Sequence, residues 1–382
     1  MKKNLIKIRN SVIGIIYRNL LKRILFLIDP EKVHDRALLI GKILGSNIVF
    51  RKIVSFFFNF SDESLKQNIS GIIFENPVGL AAGFDKDAEM IKIMPDVGFG
   101  FTEVGSVTGE FCSGNPKPRL WRMPKSKSII VNYGLKNSGC QEISQRLEKD
   151  FSRNEINEIP LGINIAKTNS PETVDPENGL KDYLKGIKSF LNIGHYLTIN
   201  ISCPNASGGQ SFSEPELLET LLKEVKELNM TKPIFLKMSP DLSFEKIDQI
   251  IDLSNQYGIT GFICSNLTKK RDNPRIVPEE LKNAPEGVGS ISGKPAEDMS
   301  NKMISYIYRK TEGRKVIIGC GGIFNAQDAY KKIKLGASLL QLITGMIFEG
   351  PQIISDINLG LTQLLKKDGF KNINQAVGIE NK

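Results

Sequence analysis

The chain has 382 residues, 40% hydrophobic and 24% charged, with a formal net charge of +9, enough for one large core and a small appendage. Its five cysteines show no C-x-x-C spacing and its only histidines are His34 and His195, which argues against a metal site, a disulfide framework and His-based triads and fits a reducing compartment. Residues 1–60 hold twelve Lys and Arg against three carboxylates, the whole of the net charge, and residues 61–382 are balanced, so the main body offers no basic surface for nucleic acid.

In chain order, the first feature is this basic segment. Ile13, Ile16, Leu20, Ile24 and Phe26-Leu27-Ile28 recur near helical spacing among the Lys and Arg. No apolar run reaches the roughly 18–20 residues needed to span a bilayer. Val12–Tyr17 is too short for a signal-peptide core and lacks a small-residue cleavage site. The pattern predicts that residues 1–60 form a basic amphipathic helical segment lying on a membrane surface, with packing on the protein's own surface as the alternative.

From there short apolar runs alternate with amphipathic ones. Strands are predicted at Val78–Ala82, Phe101–Val107, Leu161–Ile165, Tyr196–Ile201, Ile234–Met238, Gly261–Ser265, Val316–Gly319 and Leu339–Ile343. Helical stretches between them include Glu142–Asp150, Pro215–Leu228, Phe244–Tyr257, Asp298–Thr311 and Ala326–Leu335. Eight strand-then-helix units predict a (β/α)8 TIM barrel over residues 61–382 with a small N-terminal helical extension. A doubly wound sheet is the runner-up, but no G-x-G-x-x-G turn opens the first unit. His195 falls at a strand start, where no chemical role is expected.

A barrel places its working residues just after the strands, and polar residues and glycines collect there. They include Ala82-Gly83, Ser106, Asn164, Asn200 to Asn205, Lys237, Ser265-Asn266, Gly319 to Gly322 and Thr344-Gly345. The last two turns suit a phosphate, because glycines let backbone N–H groups approach an anion. The hexapeptide Asn200-Ile201-Ser202-Cys203-Pro204-Asn205 carries most functional weight. Its thiol stands between carboxamides at a strand end, a pattern suited to a reactive group beside a planar, amide-rich substrate. The plainer reading is a buried cysteine among turn-forming asparagines.

These runs resemble the dihydroorotate dehydrogenase family over residues 16–350. The resemblance rests on LFLIDPEKVH (25–34), NPVGLAAGFDKD (76–87), GFGFTEVGSVT (98–108), NPKPRLWRM (115–123), LGINIAK (161–167), NISCPN (200–205), LKMSPDLS (236–243), SNLT (265–268), SISGKP (290–295), VIIGCGGI (316–323) and GASLLQLITGMIFEGP (336–351). It implies an oxidoreductase that converts dihydroorotate to orotate in pyrimidine biosynthesis, with FMN as hydride acceptor. It implies FMN contacts from Ala82, Gly83, Ser106, Asn164, Asn200, Lys237, Ser265, Gly293, Gly321, Gly322, Thr344 and Gly345. Lys86, Asn200, Asn205 and Asn266 would hold the substrate, together with Leu267 and the loop Asn132, Tyr133, Gly134 and Leu135. Cys203 would be the catalytic base.

Two features depart from the family pattern. The N-terminal extension resembles the membrane-associated, quinone-using class, peripheral on the cytoplasmic side of a membrane, which usually carries Ser at the base position. Cys203 and Gly208-Gly209-Gln210-Ser211-Phe212 resemble the cytosolic classes, which use fumarate or NAD. Second, Val131 stands where the family has a substrate-binding Asn, and Asn132 is the candidate to replace it after a one-residue shift. Alternatives are a related FMN barrel acting on another cyclic amide, and a flavin-free phosphate-binding barrel.

Overall fold

Runs of β-branched and aliphatic residues, buried on both faces, form eight parallel strands in the computed structural model, which describes residues 2–152, 158–209 and 211–381. They are β1 (Val78–Leu80), β2 (Phe101–Val107), β3 (Leu161–Ile165), β4 (Tyr196–Asn200), β5 (Ile234–Met238), β6 (Gly261–Cys264), β7 (Val316–Cys320) and β8 (Leu339–Leu342). Each pairs with the next in chain order and β8 pairs with β1, closing the barrel. This is the predicted (β/α)8 architecture, with strand ends within two residues of expectation. Helices such as Cys140–Ser152, Pro176–Lys188, Pro215–Glu227 and Glu297–Lys310 cover the outside. At its N-terminal end the barrel is plugged by Phe74, Phe101, Tyr196, Phe235, Ile263, Ile318 and Leu339. Phe74 belongs to an antiparallel pair, Gln67–Ile69 with Ile72–Phe74.

The opposite end is walled by a sheet that the sequence patterning did not predict. Leu120–Met123 and Ser128–Val131 form an antiparallel hairpin, and Ser290–Ile291 adds a third strand. Four N-terminal helices pack on the barrel beside it, α1 (Lys2–Ile16), α2 (Lys22–Leu27), α3 (Pro30–Gly45) and α4 (Ile48–Phe58), with α3 against Leu120–Met123, α1 against the helix Ile353–Lys367 and α4 against Met94–Val97. A π-helical turn, Tyr17–Leu21, joins α1 to α2. The Asp29 carboxylate accepts from Lys32 N at 3.0 Å and Pro30 fills the first turn, which fixes where α3 begins. Asn47 caps α4 through Val49 N at 2.8 Å.

The appendage is tied to the barrel at both ends. Arg9 and Asn10 donate to Ser355 Oγ at 2.9 and 3.0 Å. Glu31 on α3 receives two bonds from Arg119, at 3.0 and 2.7 Å, with both side chains about 95% buried. Burial pushes the Glu31 carboxyl up, but Arg119 and Lys117 hold it below the ordinary carboxylate range. His195 acts structurally, its Nδ1 accepting from Leu161 N at 3.0 Å. Gln210, part of the loop that resembles the cytosolic classes, lies outside the described residues.

Candidate active site

The barrel mouth opens into one continuous cavity of about 770 Å³. Its polar end is lined by Ala82, Gly83, Lys86, Ser106, Asn200, Cys203, Asn205, Lys237, Asn266, Leu267 and Thr344. Its apolar end runs between the barrel and α1–α4, past Ile13, Leu21, Leu25, Val33, Ala37, Leu44 and Phe58. His34, Tyr133, Gly134 and Leu135 stand where the two ends meet.

The polar end is organised by strand register. Asn200 on β4 pairs with Lys237 on β5, and Asn164 on β3 with Gly105 on β2. The Asn200 amide donates to Ser106 Oγ at 2.9 Å, and Ser106 Oγ donates to Asn164 Oδ1 at 2.5 Å. Asn164 in turn donates to Glu103 Oε1 at 2.8 Å. Glu103 is fully buried and also accepts from Tyr196, Thr198 and Gln341. This network stiffens the floor of the cavity, because each polar group in it is fixed by a neighbour. Lys237, only 4% exposed, makes no hydrogen bond among the described residues. A buried ammonium without an acceptor is costly, so its position suits an electron-rich ligand edge.

The N–H groups of Gly321 and Gly322, just after β7, and of Gly293, in the loop after Ser290–Ile291, find no acceptor among the described residues. Gly321 and Gly322 have φ values of +116° and +74°, and a Cβ on Gly322 would lie 2.3 Å from Glu297 Cβ. Only glycine fits this turn. Thr344 and Gly345 pack against the same loops: a Cβ on Gly293 would meet Thr344 at 3.0 Å, and one on Gly345 would meet the Ile323 carbonyl at 2.1 Å. Unpartnered backbone donors on these glycines suit an anion cradle.

Lys86 is buried, and its ammonium sits 3.8 Å above the Tyr133 ring without a hydrogen-bond acceptor among the described residues. Burial and the nearby Lys136 push its pKa down to about 8. The Tyr133 hydroxyl donates to His34 Nδ1 at 3.2 Å, and His34 Nε2 donates to the Phe84 carbonyl at 2.8 Å. Burial and Lys86 lower the His34 pKa to about 3. The imidazole therefore stays neutral and links α3 to the substrate loop.

Cys203 follows β4 in a turn. Burial raises its thiol pKa, opposed by the Asn205 backbone N–H and by Lys167 and Lys269. Asn205 is held by Val131 O at 2.8 Å and Ser290 Oγ at 3.0 Å, and Asn266 donates to Ser202 Oγ at 3.0 Å. Asn132 is placed differently from the expectation. It does not line the cavity; its Oδ1 accepts from Asn115 at 3.0 Å, while Val131 takes the wall position. Asn115 also donates to the Asn205 carbonyl at 3.1 Å, so the Asn132 carboxamide serves a loop network. Asn164, Ser265, Gly293, Gly321, Gly322 and Gly345 likewise stand behind or beside the cavity lining.

Sequence reasoning missed Tyr17, His34, Arg122 and Ser292 in the wall. Tyr17 donates to Ile347 O at 2.7 Å, and Arg122 donates to the carbonyls of Phe26 and Ile28 at 3.2 and 2.7 Å. His34, Arg122 and Ser292 fall in the quoted runs 25–34, 115–123 and 290–295 and Tyr17 in none of them, but the contacts of Tyr17, His34 and Arg122 arise only when the appendage docks. Among the described residues no cluster of three or more His, Cys, Asp or Glu is placed to hold a metal ion.

A family model described as dihydroorotate dehydrogenase matches residues 64–365. The chain is 42% identical over 361 residues to a protein of Crocosphaera subtropica named dihydroorotate dehydrogenase (quinone), covering 92% of this chain and 94% of that one. A protein of the same name from Nostoc punctiforme is 38% identical over 363 residues, covering 93% and 94%. Among solved structures, the chain is similar to the dihydroorotate dehydrogenase of Eimeria tenella in complex with ferulenol. That similarity has a TM-score of 0.82 and 31% identity and covers 93% of this chain and 96% of that one.

Proposed function

The chain belongs to the dihydroorotate dehydrogenase family, and on that premise we propose how its residues divide the work. The enzyme oxidises dihydroorotate to orotate in pyrimidine biosynthesis, with a quinone as electron acceptor. The observation that carries this division is the single cavity joining a polar barrel mouth to an apolar channel under α1–α4.

FMN fits the polar end: the unpartnered N–H groups of Gly293, Gly321 and Gly322 suit its phosphate, and the unpartnered Lys237 ammonium suits the electron-rich edge of its ring. When bound, FMN supplies a hydride acceptor that can be reoxidised by the quinone. Asn200 and Ser106 hold its ring from the barrel floor. Lys86 binds the substrate carboxylate, and Asn200, Asn205 and Asn266 hold the ring amides. Cys203 takes the C5 proton as general base. Leu135, Leu267 and Tyr133 exclude water from this step.

The channel admits the quinone from a membrane. Among the described helices none is long and apolar enough to cross a bilayer. Yet α1–α4 and the π-helical turn expose Leu5, Ile8, Leu20, Leu27 and Phe56 by 60% or more, beside the Lys and Arg that make residues 1–60 strongly basic. We place the protein peripherally, on the cytoplasmic side of a membrane, with this face in the headgroup region.

Purified protein should release FMN, not FAD, on denaturation. Dihydroorotate should bleach the bound flavin without oxygen, and a quinone should reoxidise it faster than fumarate or NAD. A colourless protein that ignores added FMN, or a flavin that dihydroorotate leaves oxidised, would overturn the reading. Faster reoxidation by fumarate or NAD would move the acceptor to the cytosolic type.

A further inference from the structure

Behind Cys203 lies a second, much smaller cavity of about 10 Å³, the space of one water. It is lined by Leu135, Lys167, Tyr183, Asn200, Cys203 and Phe212, among others. Leu135, Asn200 and Cys203 also line the large cavity, so the thiol stands in the partition between the two. Lys167 touches only the rear space. It is 4% exposed, follows β3, and its ammonium donates to the Ser207 carbonyl at 2.7 Å. Ser207 in turn donates to Asn169 Oδ1 through both N and Oγ, at 2.7 and 2.9 Å. The turn that carries the thiol is thereby fastened to a buried cation.

We infer that Lys167 is a positioning residue for the proton step, its charge favouring the Cys203 thiolate from behind while the substrate reacts in front. This deepens the assignment of Cys203 as base and rests on it. With the flavin bound, the substrate's C5–H proton would move to Sγ, the C–H electron pair would enter the new carbon–carbon double bond, and the neighbouring carbon would give up its hydride to the flavin as oxidant. The S–H so formed must lose its proton before the next turnover. The Lys167 charge favours the thiolate that remains, and the rear cavity that both residues line has room for one water beside the thiol.

The surrounding charges agree with this. Burial raises the thiol pKa, and Lys167 and Lys269 oppose it, while Cys112 and Tyr183 lie near enough to interact. Burial lowers the Lys167 pKa, and Cys203 and Asp182 pull it back up. Thiol and ammonium thus stabilise each other's charged forms.

The test is the pH dependence of Cys203 alkylation by iodoacetamide, followed by mass spectrometry of its peptide, in the wild type and in Lys167→Gln. Glutamine can still donate to Ser207 but carries no charge. The midpoint should rise by about one to three pH units, the usual effect of an adjacent opposite charge. The pH profile of flavin reduction by dihydroorotate should move by the same amount, and Lys167→Arg should restore both. An unchanged midpoint in Lys167→Gln, even with a slower rate, reduces Lys167 to a loop anchor and overturns the inference, as does a raised midpoint in Lys167→Arg. Cys203→Ala separates the two claims: near-normal flavin reduction in that variant defeats the base assignment, whatever the alkylation midpoint does.

Discussion

At the barrel mouth polar side chains answer one another, Asn200 to Ser106 to Asn164 to Glu103. In α1–α4 apolar side chains stand in the open, and 18 of the 22 exposed large hydrophobics of the described residues lie between Leu5 and Phe57. The first arrangement holds a site rigid at the cost of burying polar groups. The second is unfavourable in water and makes sense against lipid. On the proposed reading, a polar site for the substrate and an apolar approach for its electron acceptor have opposite solvent requirements, which different segments sharing one cavity would meet.

The comparison is broken most strongly at Cys203. Cys203→Ala should slow flavin reduction by dihydroorotate about 10²–10⁴-fold, the usual share of a general base. Reoxidation by quinone and binding to vesicles should stay unchanged. Stopped-flow measurement of the two half-reactions checks this, and equal losses in both would deny that the regions have separate tasks.

A second break is at the joint. Glu31→Ala leaves Arg119 buried without its partner, which should cost about 3–5 kcal/mol; Glu31→Leu with Arg119→Met should recover much of it. Thermal unfolding measures both. Because the Glu31 pKa is held below its unfolded value, this stabilisation is present above the ordinary carboxylate pKa and is lost as pH falls through the lowered one. The same joint argues against deleting residues 1–60 to test the channel, since the deletion also removes Glu31 and His34 from beneath the substrate loop.

Lys86 sharpens the comparison from the polar side. With a pKa near 8, it is charged below that pH and neutral above it. The Kd for dihydroorotate should therefore rise about tenfold per pH unit above 8. Equilibrium titration of bound flavin absorbance with orotate, which carries the same carboxylate and cannot reduce the flavin, reads this directly, and a flat profile would remove Lys86 from carboxylate binding.

An effect of comparable size is expected at the membrane face. Leu27→Ser and Phe56→Ser, at side chains 88% and 72% exposed, should each weaken partition into anionic vesicles by about 1.5–3 kcal/mol. The half-reaction with dihydroorotate should not change. Flotation assays at two salt concentrations separate this apolar contribution from the screened one of Lys and Arg. Unchanged partition in both variants would place the face against something other than lipid.

Much of this was legible in the sequence because a barrel repeats one rule. Each strand reads as an apolar run with polar residues at its C-terminal end, so the place of Ser106, Asn200, Cys203 and Lys237 at the barrel mouth could be read from position. The hairpin Leu120–Val131 was not, because its third strand, Ser290–Ile291, is distant in sequence and too short to show a period. Asn132 was misplaced for a related reason: a one-residue choice in a loop is settled by partners such as Asn115, which no local pattern reveals. His34, Tyr17 and Lys167 take their roles from packing between segments far apart in the chain.

The division of labour is tested most directly by filling the channel without touching the barrel mouth. Ala37 lies on α3 in the apolar end of the cavity, away from Cys203, Lys86 and the glycine cradle. In Ala37→Trp the indole should obstruct the route, at an overpacking cost to a bound quinone of about 1–3 kcal/mol. Flavin reduction by dihydroorotate should keep its wild-type rate, while reoxidation by a long-chain quinone should slow by roughly ten- to a hundredfold. Wild-type rates in both half-reactions would contradict a quinone route through the appendage, and equal slowing of both would contradict the separation of the two sites.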